Sequence, residues 1–394
     1  RLVPLSMDSL FPRLRYEFIF FFRKNTLRHY LFSFTSSPMD LALANARSQL
    51  IANSTIKPIH SENEESSCDI FVIFTEKQQK EVANYLFSKC VKDLEGKRVV
   101  RILSLEEYQS IENSQITEVG CEDDEDIGFS VSDFFNQLGP YRDDTILVYS
   151  HVLDSTQVFM NTYCSGYMNI VCTTDIQTNG RGRKSNTWVS PVGALTFSYK
   201  STLQNGDYVS LMQYLEALVM CQAINEMEGV NGIDVNIKWP NDVYVNRRIK
   251  ICGILCQSVY CNGSFDITSG IGINVSNRKP TTCIEQQVKE RTGRIVHLSR
   301  GELLGRFIRI WNRCFPRFSR EGFKPYLNDY YALWMHSNQP VNVLNEDGTT
   351  DSVIIKGLDE TGFLIAVDAK GNTRELMPDG NSFNFLEGLI SKKK

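Results

Sequence analysis

The sequence predicts an α+β protein of two or three domains, on three observations. The chain has 394 residues, more than one hydrophobic core usually organises. Through its middle, short apolar strand-like runs interleave with segments of helical period. Beyond residue 339 the pattern changes to short strand-like pieces parted by glycine turns.

Residues 1–45 read as an address. Up to Pro38 the acids are Asp8 and Glu17, against Arg1, Arg13, Arg15, Arg23, Lys24 and Arg28, with Ser33, Thr35, Ser36 and Ser37 among them. Arg-rich, Ser-bearing, acid-poor composition suits an organelle transit peptide. A chloroplast or mitochondrial location is therefore expected, with a cytosolic form if translation starts at Met39. Read-through ahead of a start at Met7 or Met39 is the competing reading.

Residues 46–140 are expected to form a small N-terminal α/β domain. A strand is predicted over 69–75 and a helix over 76–92, with Val82, Leu86 and Phe87 on one face. An acidic stretch over 118–126 separates this unit from the next. None of its residues suggests chemistry.

Residues 141–336 read as the main domain. Strands are predicted over 145–149, 169–175 and 194–199, and a helix over 211–227. Strands over 234–238 and 242–245 flank Trp239-Pro240-Asn241. Segments 251–260 and 265–275 form a strand pair turning at Asn262-Gly263. Helices follow over 300–315 and 323–334. Residues 337–394 carry strands over 341–344, 352–355, 363–367 and 373–376. Turn signals at Asp347-Gly348, Thr361-Gly362 and Lys370-Gly371 part them, which suits a small β-barrel.

Bulk composition removes several classes. Hydrophobic content of 42% and charged content of 22% suit a soluble globular protein. A net charge of −4 argues against a whole-protein binder of nucleic acid or anionic membrane. Eleven scattered cysteines without a CxxC pair, and five dispersed histidines, suggest neither a zinc site nor a disulfide framework. Reduced thiols are expected, with Cys252 and Cys256 as packing residues on one strand face. No apolar run approaches the ~20 residues that span a bilayer, and the aromatic run ending at Phe22 meets Arg23 and Lys24 at once.

Four segments carry candidate chemistry. Asp175-Ile176-Gln177-Thr178-Asn179-Gly180-Arg181-Gly182-Arg183-Lys184, leading to Trp188, joins two glycines to three cations. The glycines allow tight turns and close approach to a ligand. The segment matches neither a Walker A loop nor a dinucleotide fingerprint. It reads as a phosphate or carboxylate loop, or as a solvated basic turn. Lys238-Trp239-Pro240-Asn241-Asp242 places a cation, an amide and a carboxylate in one turn, which could hold a nucleotide or be an ordinary loop. Lys250, just before Gly253-Ile254-Leu255, could clamp an α-phosphate or sit solvated at a strand edge. Gly270 and Gly272 leave one strand face bare, which often marks close approach of a ligand or backbone.

With Asp154-Ser155-Thr156 upstream, these segments occur in an order that resembles the biotin–protein ligase (holocarboxylase synthetase) family, plant type, over residues 144–334. The tail, with His336-Ser337-Asn338-Gln339-Pro340, resembles that family's C-terminal SH3-like barrel, and the stretch 375–385 looks like its plant members. The DNA-binding arm of some bacterial relatives has no counterpart before Asp144, so repressor activity is not expected.

The resemblance implies a catalytic domain of mixed β-sheet with helices, of the class II synthetase and biotin ligase kind. It implies ATP, biotin and Mg²⁺: biotin and ATP give biotinyl-5'-AMP and pyrophosphate, then biotin passes to a lysine of a carboxylase. Implied partners are the biotin carboxyl carrier domains of acetyl-CoA carboxylase and methylcrotonoyl-CoA carboxylase, with no nucleic acid, no membrane and no metal site beyond the Mg²⁺ that accompanies ATP. Residue by residue, Ser155, Thr156 and Gln177 resemble the groups around the fused ring of biotin. Arg181, Gly182 and Arg183 resemble the loop on its carboxylate and on phosphate, with Gly180 beside them and Trp188 beneath. Lys250 and Gly253 resemble the strand at the biotin carboxylate and α-phosphate. Lys238, Asn241 and Asn274 resemble adenylate-facing residues. Arg183, Lys250 and Asp242 are the catalytic candidates, Asp242 to orient or deprotonate the acceptor lysine. Lys184-Ser185-Asn186-Thr187 departs from the bacterial pattern, which has a second Gly-Arg pair there. A lipoate–protein ligase-like enzyme and a non-enzymatic binding module are the alternatives.

Overall fold

The computed structural model describes residues 70–75, 79, 81–84, 100–116, 128–182, 186–278, 280–345, 348–376, 381–384 and 389–392. The address over 1–45, most of the helix over 76–92, the acidic stretch over 118–126 and Arg183 lie outside the described residues.

Strands β1 (Ile70–Phe74) and β2 (Val100–Ser104) precede helices α1 (Leu105–Ile116) and α2 (Val131–Gln137). Then come β3 (Ile146–Leu153), α3 (Thr156–Tyr163), β4 (Ile170–Gln177), β5 (Ala194–Leu203) and α4 (Met212–Asn225). Strands β6 (Val235–Lys238), β7 (Asp242–Val245), β8 (Ile249–Cys261) and β9 (Ser264–Asn274) follow, then α5 (Ile284–Thr292), α6 (Arg300–Glu321) and α7 (Leu327–Leu333). All nine strands make one mixed sheet in the order β2-β1-β3-β4-β5-β9-β8-β7-β6.

The segments predicted from apolar alternation appear as β3 to β9, mostly longer than expected. Asn262 and Gly263, both at positive φ, close the β8–β9 hairpin, the left-handed geometry that Asn-Gly favours. Serines start three helices: the side chains of Ser130, Ser155 and Ser299 accept from the N–H groups of Asp133, Val158 and Glu302.

Among the described residues, the expected unit over 46–140 does not build a sheet of its own. Strand β1 pairs in parallel with β2 and antiparallel with β3, so both continue the main sheet. Every residue of β1 is buried, as a strand covered on both faces must be. Phe71 stacks on Tyr149 of β3 at 6.4 Å between ring centroids and meets Tyr108 of α1 edge-on.

The sheet has two unlike faces. Leu147, Tyr149, Phe197, Tyr199, Ile254 and Ile271 point into the main core with α4 and α6. On the other face a smaller cluster joins Val148 and Cys172 to Phe159 and Met160 of α3. Beyond α7, β10 (Pro340–Leu344), β11 (Thr350–Leu358), β12 (Leu364–Asp368), β13 (Thr373–Leu376), β14 (Asn381–Asn384) and β15 (Leu389–Lys392) form a second sheet, antiparallel except between β10 and β15. This is the small SH3-like unit expected of the tail. Among the described residues no helix is long and apolar enough to cross a membrane.

Asp175 is buried beside Arg300, whose Nη1 lies 3.0 Å away, and also meets the Tyr149 hydroxyl and His151 Nδ1. Burial opposes its ionisation, yet these partners outweigh burial and hold the carboxyl below its usual range. Glu216 of α4 is buried with no such cation. Its carboxylate accepts from Tyr199 Oη at 2.9 Å, from Cys256 Sγ at 2.8 Å and from Ser269 Oγ. Cys256 thus packs on the core side of β8, as Cys252 does, and also donates.

Burial pushes the Glu216 carboxyl from 4.5 up to about 7, against the pull of its three donors. Between those two values the folded chain binds the extra proton, so rising pH through that window removes stability. Glu216→Gln, which carries no charge, should gain on the parent by roughly 1–3 kcal/mol between pH 5 and pH 8. Chemical denaturation at both pH values measures this, and an equal difference at the two would contradict it.

Candidate active site

Alongside α3, the sheet face opposite the main core borders a cavity of about 610 Å³, within the range of small-molecule sites. Its floor is bare backbone. Gly253 of β8 and Gly270 and Gly272 of β9 line it, and the register pairs Gly253 with Gly272 and Leu255 with Gly270. Strand alternation turns Cys252, Ile254, Ile271 and Ile273 to the core on the other side.

The N-terminus of α3 makes one wall. Gln177 Oε1 accepts from Thr156 N at 2.9 Å and from Thr156 Oγ1 at 3.1 Å, while Gln177 Nε2 donates to Ser190 Oγ at 3.1 Å. Thr156 Oγ1 also lies 2.8 Å from Ser198 Oγ of β5. Gln157 reaches across the floor: its Nε2 donates to the carbonyls of Leu255 at 3.0 Å and Thr268 at 3.2 Å. A Cβ on Gly270 would lie 3.2 Å from the Gln157 amide, so the glycine makes room for it. The sequence reading missed Gln157 and Ser198. For Gln157 the one usable signal was its place directly after Ser155-Thr156; Ser198 gave none.

The described parts of the Gly/Arg loop, residues 180–182 and 186–188, make the second wall and pair with each other. Gly182 N donates to Asn186 O at 2.8 Å, Trp188 N donates to Gly180 O at 3.1 Å, and Arg181 bridges to Thr187. Arg181, Gly182 and Trp188 line the cavity. Gly180 does not line it; a Cβ there would come within 2.3 Å of Trp188 O, so its bareness lets the two parts pair. The Trp188 indole lies on the floor, where a Cβ on Gly272 would approach it to 2.2 Å and one on Gly253 to 3.1 Å. Its Nε1 is buried without a hydrogen-bond partner among the described residues.

The third wall is the turn between β6 and β7 with Lys250 beside it. Lys238, Trp239, Asn241, Asp242 and Lys250 all line the cavity. Lys250 Nζ lies 2.7 Å from Asp242 Oδ1, and Lys238 Nζ lies 3.9 Å from Asp242 Oδ2. Asn241 Nδ2 donates to Ile254 O at 2.6 Å, tying the turn to β8. Asn274 is buried at the end of β9 opposite Ala194 and is not among the lining residues.

The site is therefore polar and neutral at the α3 wall and cationic elsewhere. Among the described lining residues Arg181, Lys238 and Lys250 stand against one carboxylate, Asp242, in a chain whose net charge is −4. Such a cavity suits an anionic ligand carrying a hydrogen-bonding neutral head. No group of three His, Cys, Asp or Glu side chains among the described residues could hold a metal ion.

The chain is similar in sequence to known proteins. The family model described as "Biotin/lipoate A/B protein ligase family" matches residues 149–274, and that described as "Biotin protein ligase C terminal domain" matches 336–386. Biotin–protein ligase 1, chloroplastic, of Arabidopsis thaliana is 39% identical over 279 residues, covering 68% of this chain and 75% of that protein. Biotin–protein ligase 2 of the same plant is 38% identical over 277 residues, covering 68% and 84%. Among solved structures, a biotin protein ligase from Aquifex aeolicus in complex with biotin and ATP is 25% identical, covering 63% of this chain and 98% of that one, with a TM-score of 0.47.

The floor gives a direct test. Gly272→Ala places a methyl where the Trp188 ring lies, so the indole must leave the floor. The tryptophan emission should shift to the red while thermal stability changes little, because the obstructing atoms belong to a side chain. Unchanged emission would show that Trp188 does not rest there.

Proposed function

The chain belongs to the biotin–protein ligase family, and on that premise we propose that its cavity forms biotinyl-AMP from biotin and ATP and delivers biotin to a carrier-domain lysine. The observation that carries the reading is the convergence of Arg181, Lys238 and Lys250 on a glycine floor, next to a wall of preset amides and hydroxyls.

The ureido ring of biotin would take the neutral wall at Thr156 and Gln177, with Ser155 capping the helix beneath. Its carboxylate and the α-phosphate would lie between Arg181 and Lys250 above Gly253. The nucleotide would lie toward Lys238 and Asn241. Any Mg²⁺ would come with ATP and offset its phosphate charge, since Asp242, already paired with Lys250, is the sole carboxylate among the described lining residues.

In the first step a biotin carboxylate oxygen attacks the α-phosphorus and pyrophosphate leaves. Both reactants are anions, so their approach is opposed electrostatically, and the cations lower that barrier as charge builds on the phosphorus oxygens. Positioning supplies much of the remainder. In the second step a neutral lysine amine attacks the mixed anhydride and AMP leaves. A lysine has a reference pKa of about 10.4 and must first lose a proton. Asp242 takes that role once Lys250 has turned from it to phosphate.

The acceptors are carrier domains of biotin carboxylases such as acetyl-CoA carboxylase and methylcrotonoyl-CoA carboxylase. The Arg- and Ser-rich start of the chain supports a chloroplast or mitochondrial location, with a cytosolic form from Met39.

Biotin-dependent exchange of pyrophosphate into ATP, and biotin transfer to a purified carrier domain, test the reading. Wild type should perform both and remain inert with lipoate. Lys250→Ala should lose about 100-fold or more in exchange. Asp242→Asn should slow transfer from preformed biotinyl-AMP, and unchanged transfer would remove Asp242 from the second step. Inertness of wild type toward biotin would overturn the function itself.

A further inference from the structure

The turn bearing Lys238, Asn241 and Asp242 is held from outside the main sheet. The chain leaving α7 runs beside β6, where Ile237 bridges in parallel to Trp334 and Met335 N donates to Ile237 O at 2.9 Å. The next residue, His336, is fully buried. The backbone N–H of Trp239 donates to His336 Nε2 at 3.1 Å, and His336 Nδ1 lies 2.8 Å from Gln339 Oε1. The proton therefore sits on Nδ1 and Nε2 is the acceptor. Burial pushes this imidazole down to about 4, so it is neutral at physiological pH.

A second hold comes from the turn between β11 and β12. Asp359 Oδ1 accepts from Thr361 N, Thr361 Oγ1 and Phe363 N, at 2.7–2.8 Å, which stiffens that tip. At the tip Gly362 lies against Tyr214 of α4, where a Cβ would approach the ring to 2.3 Å. The Gly362 carbonyl accepts from Tyr214 Oη at 2.6 Å and from the Trp239 indole N–H at 3.1 Å. Trp239 is itself buried. The backbone N–H of Trp239 thus ends on His336, just past α7, and its indole N–H is shared between the Gly362 carbonyl and Tyr214 Oη, each at 3.1 Å.

We propose that His336 and the Gly362 carbonyl are positioning groups for adenylation: the C-terminal unit sets the orientation of Trp239, and through it places Lys238, Asn241 and Asp242 at the nucleotide end of the cavity. The inference rests on the ligase reading above. Without His336 Nε2 the buried backbone N–H of Trp239 loses its acceptor, and without the Gly362 carbonyl its indole N–H is left with Tyr214 Oη alone, so the turn must shift to satisfy them again. A shift of about 1 Å at a reacting group can cost about 100-fold in rate. The neutral wall at Thr156 and Gln177 hangs from α3 and β4, so it is untouched by this hold.

The test compares wild type with His336→Leu, His336→Gln and Tyr214→Phe by two readouts. One is backbone hydrogen exchange over residues 236–243, followed by mass spectrometry. The other is biotin-dependent ATP–pyrophosphate exchange, with KM measured separately for each substrate. His336→Leu should speed hydrogen exchange in that segment and lower kcat/KM for ATP about tenfold, with the KM for biotin within about twofold of wild type. His336→Gln, whose Oε1 reaches a similar place, should restore most of the loss. Tyr214→Phe removes one of two donors to Gly362 and should show a smaller effect of the same kind, which serves if His336→Leu fails to fold. Unchanged exchange over 236–243, or equal losses for ATP and biotin without rescue by glutamine, would overturn the proposal. An active wild type with indifferent variants removes this inference alone, whereas a wild type inert with biotin removes the ligase reading beneath it.

Discussion

The site depends on one constraint: β8 and β9 must be bare on one face and apolar on the other. Successive side chains of a strand point to opposite faces, so a glycine at every second position costs nothing on the core side. Three strand glycines, Gly253, Gly270 and Gly272, cost roughly 0.5–1 kcal/mol each. On the reverse face, Ile254, Ile271 and Ile273 bury fully and each contributes roughly 1.5–3 kcal/mol. The core side therefore outweighs the cost of the floor, and a cleft can be cut into a sheet without loosening it.

The same reasoning explains why α4 is apolar nearly all round. It packs between the main sheet and α6, and its Tyr214 receives the tail at Gly362. A helix covered on one side would show a polar stripe. This one buries even Glu216, and hydrogen bonds from Tyr199, Ser269 and Cys256 take the place of water there. The tail is thus part of what covers the main domain and not an appendage to it.

Much of this was legible in the sequence, for reasons that differ by segment. Strands β6 to β9 were readable because turn residues and alternation agree there: Asn262-Gly263 fixes the hairpin, and Pro240 with Asn241 fixes the turn before β7. Residue order was enough to gather Thr156, Gln177, Arg181, Trp188, Lys238, Asp242 and Lys250, which come together around one cavity although up to 94 positions (250 − 156) part them along the chain. Asn274 shares the face of Gly270 and Gly272 by alternation, but it lies at the end of β9 opposite Ala194, past the residues that line the cavity. Helices α3 and α5 escaped because they are short and carry little apolar period. The membership of β1 and β2 in the main sheet escaped because strand order is a long-range property that local pattern does not contain. The two holds on Trp239 escaped for a related cause: one acceptor is a backbone carbonyl, which no residue type announces.

Within the cavity, shape and charge are supplied by different kinds of residue. Thr156, Gln157 and Asn241 are each 5% exposed or less, and every one is fixed by hydrogen bonds to neighbouring elements. Lys250 is 42% exposed at its side chain, and Arg181 is exposed as well. The division follows from how each interaction decays. A hydrogen bond to a neutral ring weakens steeply with small errors of distance and angle, so its partners must be set before the ligand arrives. Coulomb attraction falls only as the inverse of distance, so a cation on a flexible stem can meet an anion wherever it settles and follow charge as it moves between carboxylate and phosphate. A site that must discriminate a neutral ring and then carry negative charge through a reaction needs both, and here the rigid groups lie on α3, β4 and the β6–β7 turn while the movable charges sit on the Gly/Arg loop and at the start of β8.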